Sequence, residues 1–576
     1  MATLAEPRTR ERHTFIVASN FRHVPETLAL QKDSLDLVDV PGARHSRAIL
    51  PADALATEDS LAGLKNVKIE LSRSENFARA APFERLAPRG THVWLETTGE
   101  ADWARICAWI KQNVQPSAAC VGEASFIRLP FGHYLQTANT DGSVFAAHVA
   151  GTYCADEACR TAAAGLASAD SWTVSVDRQT TDARFRDKIV VEAYWAHGNW
   201  SEKIVPAAGS RVEVGVLGRL ADSDDTDVTL GGILAVVGET EQFTPTMIDF
   251  TPRHRAAARQ TVYRADFRKP YGLHPKHVTK IAGDFAPPDV AYADVDLEDA
   301  LEFTEDGDVV PAASTKAACK LHAYYTLPNF LFVDKYQLSD LADAKAGGVQ
   351  RVVGIWGETD LEVPVWMVDG WGSSVLLEVL PSPRPPPIPL RPGLEYMELE
   401  IPMHSRYEVP DWNTSVVTHE VPWPVLFWAC PAAVSEDRLR KNPFESSPLG
   451  VERFFDAGTT FHYLTPNLNA STAAEPTHLT SELRIPVVPL ETYRWVQPVT
   501  VVVIVFGCFW IFYKTACGWR RDGGITKPAP KKAKGRKDAK PEPATPRRRA
   551  ASPKHTGASV AASGMELRSR ALPAAE

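Results

Sequence analysis

Four Asp-x-Asp strings are the residues of this chain whose type and spacing could hold a metal ion for glycosyl transfer. They are Asp222-Ser-Asp224, Asp225-Thr-Asp227, Asp294-Val-Asp296 and Asp306-Gly-Asp308. Carboxylate oxygens are the ligands that hard divalent cations prefer. All four strings lie in acidic, loop-like stretches, and the 222–227 stretch lacks the glycine and glutamate that a calcium loop places at its sixth and twelfth positions. We interpret them as solvated loops and predict neither a metal nor a cofactor.

Two further polar pairs could act on a sugar or a metal. Glu398 and Glu400 share one face of a predicted strand, but neighbouring carboxylates on one strand do not straddle a sugar, so a polar outer face is favoured over a glycosidase pair. His274 and His277 have no evident third ligand, which favours ordinary histidines over a metal site. The sequence contains no Gly-x-Ser-x-Gly, Walker loop or His-Glu-x-x-His. We therefore predict no catalytic residue.

Polar side chains for binding a partner are the alternative use of this region. His404 and Arg406 alternate on a strand that continues past Pro402, and His274 follows a Gly-Leu pair. We name His274, His404 and Arg406 as the polar residues predicted to contact a partner or lipid headgroups. The other interpretation is that they only keep a strand soluble.

An uncharged segment of 18 residues, 496–513, is predicted to cross a membrane. At 1.5 Å per residue it spans about 27 Å, close to the hydrocarbon thickness of an endoplasmic reticulum (ER) bilayer. Trp495 at one end and Tyr513 and Trp519 at the other are typical interfacial anchors. A buried core helix is less consistent with the basic, Pro- and Ala-rich segment that follows, which is predicted to be a disordered tail.

The charges are divided unevenly around this segment. The whole chain has 62 Lys and Arg against 71 Asp and Glu, or −9, but residues 514–576 carry 16 against 5 and residues 1–513 carry 46 against 66. The resulting +11 and −20 predict a cytoplasmic tail and a luminal body by the positive-inside rule, and the acidic body argues against a nucleic-acid partner. The first residues lack the apolar run of a signal peptide. Translocation without a cleaved signal is favoured over a cytosolic body, because the basic tail would otherwise have to cross the bilayer.

Sequons and cysteines agree with a luminal body. Three N-x-Ser sequons begin at Asn199, Asn413 and Asn469, all before the predicted span, and we expect N-glycosylation there. Six cysteines lie in the body, which leaves 15 pairings open. The short spacings of Cys107 to Cys120 and Cys154 to Cys159 favour local bridges, and buried free thiols are the alternative.

Alternation of apolar and polar residues recurs along the body. It predicts strands at 172–176, 189–194, 212–217, 351–356, 374–380 and 396–401, with short helices at 101–112 and 338–346. The predicted fold is mainly β, in sandwich-like antiparallel sheets, with one C-terminal transmembrane helix and a disordered tail. We divide the chain into β-rich units at 1–120 and 121–260, a luminal domain at 261–495, the span at 496–513 and the tail at 514–576.

An ordered set of short motifs in the third unit makes the chain similar to a known family. The segments are Phe267–His274, Leu321–Leu338, Glu395–Tyr407, Val421–Pro431, Asn442–Phe444, Phe461–Leu464 and Leu483–Val488, and the start His13–Leu37 adds to them. In this order, ahead of a lone span, they resemble the PIG-X family and in particular its fungal members of the protease B non-derepressible type. The long basic tail departs from the usual pattern.

The resemblance implies a role in the synthesis of the glycosylphosphatidylinositol (GPI) anchor at the ER. It implies a non-catalytic, stabilising subunit of GPI mannosyltransferase I, whose multi-span catalytic partner adds the first mannose to the anchor precursor. Two alternatives remain: a broader luminal folding and processing chaperone or a luminal enzyme, and a cell-surface receptor.

Overall fold

We describe a computed structural model of the chain. It describes residues 9–18, 27–51, 63–73, 80–99, 101–154, 157–178, 188–207, 209–220, 227–257, 261–269, 272–283, 285–288, 301–303, 309–311, 319–382, 395–431, 438–439, 441–445, 449–467 and 478–522.

Strands dominate these residues. In chain order they are β1 (Thr9–Val17), β2 (Leu28–Leu30), β3 (Leu35–Pro41), β4 (Ala43–Pro51), β5 (Leu64–Ser72), β6 (Gly90–Thr97), β7 (Ile127–Leu129), β8 (Gly132–Thr137), β9 (Ser171–Asp177), β10 (Lys188–Trp195), β11 (Asn199–Ile204), β12 (Ser210–Arg219), β13 (Val228–Val237), β14 (Thr244–Phe250), β15 (His254–Ala256), β16 (Val262–Arg268), β17 (Lys276–Gly283), β18 (Leu301–Phe303), β19 (Val309–Pro311), β20 (Lys320–Pro328), β21 (Leu331–Val333), β22 (Val349–Gly357), β23 (Gly372–Val379), β24 (Glu395–Ser405), β25 (Val416–Pro422), β26 (Val425–Cys430), β27 (Thr460–Tyr463), β28 (Thr465–Pro466) and β29 (Thr480–Pro486). The helices are α1 (Trp103–Asn113), α2 (Ser143–Thr152), α3 (Glu157–Gly165), α4 (Lys335–Asp343) and α5 (Leu490–Asp522).

The six strands predicted from alternation are confirmed as β9, β10, β12, β22, β23 and β24. In β24 the side chains of Met397, Leu399 and Ile401 are buried, whereas those of Glu398 and Glu400 lie on the other face. Successive side chains of a strand point to opposite faces, so this alternation buries one row and solvates the other.

Of the four helices that precede α5, two were predicted from the sequence and two were missed. The predicted ones are α1 and α4. Asp102 precedes α1 and Asp334 precedes α4, and each aspartate side chain accepts backbone N–H from the first turn of its helix. The missed ones are α2 and α3. Helix α2 is apolar on most of its surface and lacks the apolar stripe that sequence periodicity detects, whereas α3 has such a stripe over only 9 residues.

The strands form mainly antiparallel sheets. The largest has eleven strands in the order β14-β13-β12-β1-β4-β10-β9-β5-β6-β8-β7, with only β1 and β12 parallel. A six-stranded sheet has the order β15-β27-β26-β20-β23-β22, and a five-stranded sheet has the order β21-β24-β17-β16-β28. A three-stranded sheet, β11-β3-β2, and two strand pairs, β18-β19 and β25-β29, complete them. The eleven-stranded sheet takes strands from both sides of residue 120, and the predicted division into three units stays a prediction.

The six-stranded sheet is the middle layer of the body. Nearly every residue of β20, β23 and β26 is buried, which requires cover on both faces. Tyr324 and Phe427 belong to the core shared with the eleven-stranded sheet. Tyr325 and Leu377 belong to the core shared with the five-stranded sheet. The body is therefore a stack of sheets with two large cores and two smaller apolar clusters, and the first core draws residues from far apart in the chain.

Aromatic residues connect the first core across the layers. The indole Nε1 of Trp371 donates to the backbone oxygen of Tyr134 at 2.9 Å, and the two rings lie 5.1 Å apart. Trp94 stacks on the other side of Tyr134 at 3.8 Å. Residues before 260 and residues of the C-terminal half thus pack together in the first core.

Three disulfides are present in the body. Cys107–Cys120 and Cys154–Cys159 are the two local bridges favoured by their spacing, and Cys319–Cys430 joins the start of β20 to the end of β26. The last encloses a loop with a sequence separation of 111. Among the described residues Cys508 and Cys517 are free.

A buried ionic network lies between the eleven-stranded and six-stranded sheets. Arg85 contacts Glu70 of β5 and Glu452 of a short 3-10 turn, and Lys68 Nζ lies 3.9 Å from Glu70. The side chains of Lys68, Glu70 and Glu452 are 1%, 6% and 5% exposed. Burial alone would raise the pKa of Glu70, but the charges of Arg85 and Lys68 outweigh it and hold that pKa at about 2. His254 of β15 adds a contact to Glu452 at 3.8 Å.

Removing the shared cation should destabilise the body strongly. Arg85→Met leaves Glu70 and Glu452 buried without their arginine, and breaking a buried pair in this way costs about 3–5 kcal/mol of unfolding free energy. Arg128→Met removes an exposed partner of Glu123 and should cost less than about 1 kcal/mol. Denaturant unfolding of the full chain in detergent measures both. Equal losses for the two variants would show that the network does not hold the layers together.

Candidate partner-binding site

Of the predicted contact residues, His274 and His404 meet where β17 begins and β24 ends, and Arg406 directly follows β24. These strands pair antiparallel with Lys276 opposite Pro402, which brings His274 opposite His404 two residues further on. Their Nδ1 atoms are 3.0 Å apart and their rings are perpendicular, with centroids 4.5 Å apart. His274 is exposed and His404 is half-buried. The histidine pair therefore presents one ring to solvent and holds the other against the body.

Asp334 fixes the inner histidine. His404 Nε2 lies 3.0 Å from Asp334 Oδ2, while Asp334 Oδ1 accepts the backbone N–H groups of Tyr336 and Gln337 at 2.9 and 3.1 Å. Burial opposes the charge of Asp334, but the N–H of Gln337, His404 and the N–H of Tyr336 outweigh it and lower its pKa. Asp334 was not among the predicted site residues, although an aspartate directly before a helical pattern is a known N-cap signal.

Arg406 holds a loop in place. Its side chain is 1% exposed, and its guanidinium lies over the Phe332 ring at 4.2 Å. The guanidinium donates to the backbone oxygens of Val363 at 2.7 Å, Glu358 at 3.4 Å and Asp360. Since Arg406 is buried, its influence on a partner must come through the loop it supports. Contact roles for His274 and His404 stay predictions.

His277 belongs to the core. Its ring packs edge-on against Phe267 and Tyr325, with centroids 4.9 and 5.7 Å apart. Neither ring nitrogen has a hydrogen-bond partner in the part of the chain that the structure describes. Burial lowers the pKa of His277 to about 3. His274 and His277 therefore do not form a ligand pair, and no group of three or more His, Cys, Asp or Glu among the described residues is arranged to hold a metal ion.

Glu398 and Glu400 form ion pairs on the outer face of the five-stranded sheet. Arg268 contacts both carboxylates, at 3.3 and 2.7 Å, and Lys276 Nζ lies 2.7 Å from Glu400. The polar-face interpretation describes this arrangement better than a glycosidase pair. Of the Asp-x-Asp strings only Asp227 is described, and it pairs with Arg438 at 2.6 Å; the remaining aspartates lie outside the described residues.

Two of the three predicted glycosylation sites are described. Asn199 begins β11 and is exposed, and Asn413 is exposed in the loop between β24 and β25. The backbone N–H of Asn413 donates to Asp411 Oδ1 at 3.2 Å. Asn469 lies outside the described residues. Both described sequons are thus accessible, and glycosylation at all three stays a prediction.

Helix α5 contains the predicted span. Its stretch Leu490–Gly518 has a mean hydropathy of 2.1 in its most apolar window, none of which is buried. By length and composition this helix can cross a membrane. The segment predicted from sequence, 496–513, lies inside it, and the basic tail beyond Asp522 lies outside the described residues.

These features define a mainly β protein with one apolar C-terminal helix compatible with single-pass anchoring in a membrane. Residues 270–516 match the sequence model of the family described as PIG-X / PBN1. The chain is 29% identical over 549 residues to protein pbn1 of Emericella nidulans, and the aligned region covers 89% of this chain and 97% of that protein. It is 29% identical over 570 residues to protein pbn1 of Aspergillus oryzae (88% and 97% covered) and 28% identical over 527 residues to that of Neurospora crassa (88% and 94%). These matches support the resemblance to the PIG-X family that the motifs predict.

The buried His277 predicts a loss of stability in mild acid. Its pKa is about 3 in the folded chain and about 6.5 when unfolded, so below pH 6.5 only the unfolded state takes up this proton. The free energy of unfolding should therefore fall by about 1.4 kcal/mol per pH unit between pH 6.5 and 3 from this residue. His277→Leu should lose about 2 kcal/mol less than the wild type between pH 7 and 5, measured by denaturant unfolding. His197→Gln, at an exposed histidine, is the control and should follow the wild type. A His277→Leu profile parallel to the wild type would contradict the assignment.

Proposed function

We propose that this protein is a non-catalytic, stabilising subunit of the ER GPI mannosyltransferase I complex. Its partner is the multi-span catalytic subunit that adds the first mannose to the GPI-anchor precursor. The observation that carries the proposal is similarity to the PIG-X family over residues 270–516, with pbn1 relatives similar along most of the chain. That similarity is consistent with a role in GPI-anchor biosynthesis.

The proposed location is the ER membrane, with the body in the lumen and the tail in the cytosol. Exposed sequons at Asn199 and Asn413 support a luminal body, because N-glycans are added there. The three body disulfides support the same side, since disulfides persist in oxidising compartments. The basic tail supports a cytosolic C-terminus.

The proposal of a binding role, without catalysis, rests on the membrane part of the chain. A dolichol-linked substrate needs a cavity enclosed by several helices, and a lone span does not enclose one. The body instead offers stacked sheets with two large cores, a rigid scaffold for contacts with luminal loops of a partner. A luminal chaperone with broader clientele is the alternative.

Depletion of the protein tests the proposed function. The level of the catalytic subunit should fall, and GPI precursors should accumulate before the first mannose, as measured by immunoblot and by lipid labelling. Re-expression of the wild type should restore both. A matched chain in which residues 496–513 are replaced by an unrelated apolar segment of equal length asks whether the span itself binds. Normal mannosylation with an unchanged catalytic subunit would refute the role, and a fall in many unrelated ER proteins would favour the chaperone.

Glycosidase digestion tests the proposed topology. The wild type should migrate faster on a gel after removal of N-glycans, and the shift should vanish when Asn199, Asn413 and Asn469 are all changed to Gln. Single Asn→Gln variants assign the occupied sites. A wild type without any shift would favour the cytosolic body.

A further inference from the structure

Two adjoining loops of the body form an exposed apolar surface. One loop connects β22 to β23 and the other connects β24 to β25. We call it the aromatic loop surface, and its six side chains are between 51% and 67% exposed: Leu361, Trp366, Met367, Tyr407, Val409 and Trp412. The backbone N–H of Val365 donates to the oxygen of Tyr407 at 3.1 Å, so the loops are held side by side.

Tryptophan is the unusual component of this surface. Among the described tryptophans that precede α5, Trp366 and Trp412 are the only two classed as exposed. Large exposed apolar side chains grouped on neighbouring loops mark a binding surface. Trp and Tyr are also the residues that concentrate at the headgroup level of membranes, where an apolar ring with a polar edge is stable.

The aromatic loop surface is tied to the beginning of the apolar helix. The backbone N–H of Leu490, the first residue of α5, donates to the oxygen of Asp411 at 2.8 Å, and the N–H of Val487 donates to that of Ser415 at 2.9 Å. Leu490 and the residues up to Gln497 belong to the same compact unit as the body. Trp412 therefore follows directly on a residue that is bonded to the helix start.

Chain geometry then places this surface close to the bilayer. Leu490 precedes the predicted span start at Val496 by six residues, or about 9 Å of helix. The headgroup region on each side of the hydrocarbon core is about 5–8 Å deep. A residue level with Leu490 would lie at the outer edge of the headgroup region, and Tyr493 and Trp495 are exposed on the helix between Leu490 and Val496.

The charges around the surface select the kind of lipid. Its first loop carries four acidic residues and no basic one, namely Glu358, Asp360, Glu362 and Asp369. Anionic lipids attract polybasic segments, whereas this loop is acidic. These four carboxylates would be repelled by anionic headgroups and tolerated by zwitterionic ones.

We propose that the aromatic loop surface docks on the headgroup region of a zwitterionic bilayer and holds the body against the membrane. The inference rests on the membrane anchoring of the proposed function. Arg406, buried beneath the surface, is a positioning residue, because it bonds the carbonyl groups of the first loop from the base of the second.

Fluorescence quenching by lipid tests the docking. The full chain is placed in phosphatidylcholine nanodiscs with and without bromine on the acyl carbons nearest the headgroup, and the lipid-quenchable share of tryptophan emission is measured. The double variant Trp366→Phe/Trp412→Phe should lose part of that share. Trp172→Phe, at a buried core residue, removes only emission that lipid cannot quench and should not lower the share. Adding phosphatidylserine should not increase quenching at the surface, and an increase would overturn the zwitterionic assignment.

Trp510→Phe separates this inference from the proposed anchoring. Trp510 lies in the span, so its removal should lower the quenchable share if the helix is in the bilayer. A loss with Trp510→Phe but none with Trp366→Phe/Trp412→Phe would overturn the docking and leave the anchoring intact. No loss with Trp510→Phe would overturn the anchoring itself.

A photo-crosslinker at Trp412 distinguishes lipid from protein. In ER membranes it should label phospholipid, and labelling of the catalytic subunit in its place would overturn the lipid assignment.

Discussion

The body depends on a small set of charges buried between its sheets. Lys68 and Glu70 come from one strand of the eleven-stranded sheet, and Glu452 comes from the C-terminal half, with Arg85 bonded to both carboxylates. Each charge loses its water on burial, so each is stable only with the others in place. Because Arg85 and Glu452 are 367 residues apart in sequence, the network is satisfied in one relative position of the two halves. A slip of either sheet would leave a charge unpaired.

The apolar residues of the six-stranded sheet also require the two halves of the body to pack together. Strands β20, β23 and β26 are buried on both faces, so the C-terminal half needs the eleven-stranded sheet as cover. This explains why the N-terminal residues accompany the PIG-X region in this chain. Without them, Tyr324, Phe427 and Trp371 would be exposed as one aromatic patch. The N-terminal half is thus part of the structural core, whatever else it binds.

Local sequence patterns predicted which segments form strands, but they did not predict which residues of distant strands lie next to each other. Alternation identified β24 because Met397, Leu399 and Ile401 face one core, and that signal is contained in a few residues. The meeting of His274 with His404 depends on strand register across 130 residues, which no local pattern contains. Helix α2 was missed because it is apolar on most of its surface, and α3 was missed because its apolar stripe extends over only 9 residues. The family motifs supplied the order of the segments and left their contacts undetermined.

Strand register also decides where the body can bind. The pairing of β21 with β24 sets His404 opposite Phe332 and within 3.0 Å of Asp334, and two residues further along the chain Arg406 enters the interior beside Phe332. From there its guanidinium fixes a loop that has no regular structure of its own over most of its length. The second loop begins at Arg406, and within it the backbone oxygen of Asp411 accepts the N–H of Leu490. Through this buried cation the sheet fixes the position of the first exposed loop, and the second loop is bonded to Leu490, the residue at which the apolar helix begins.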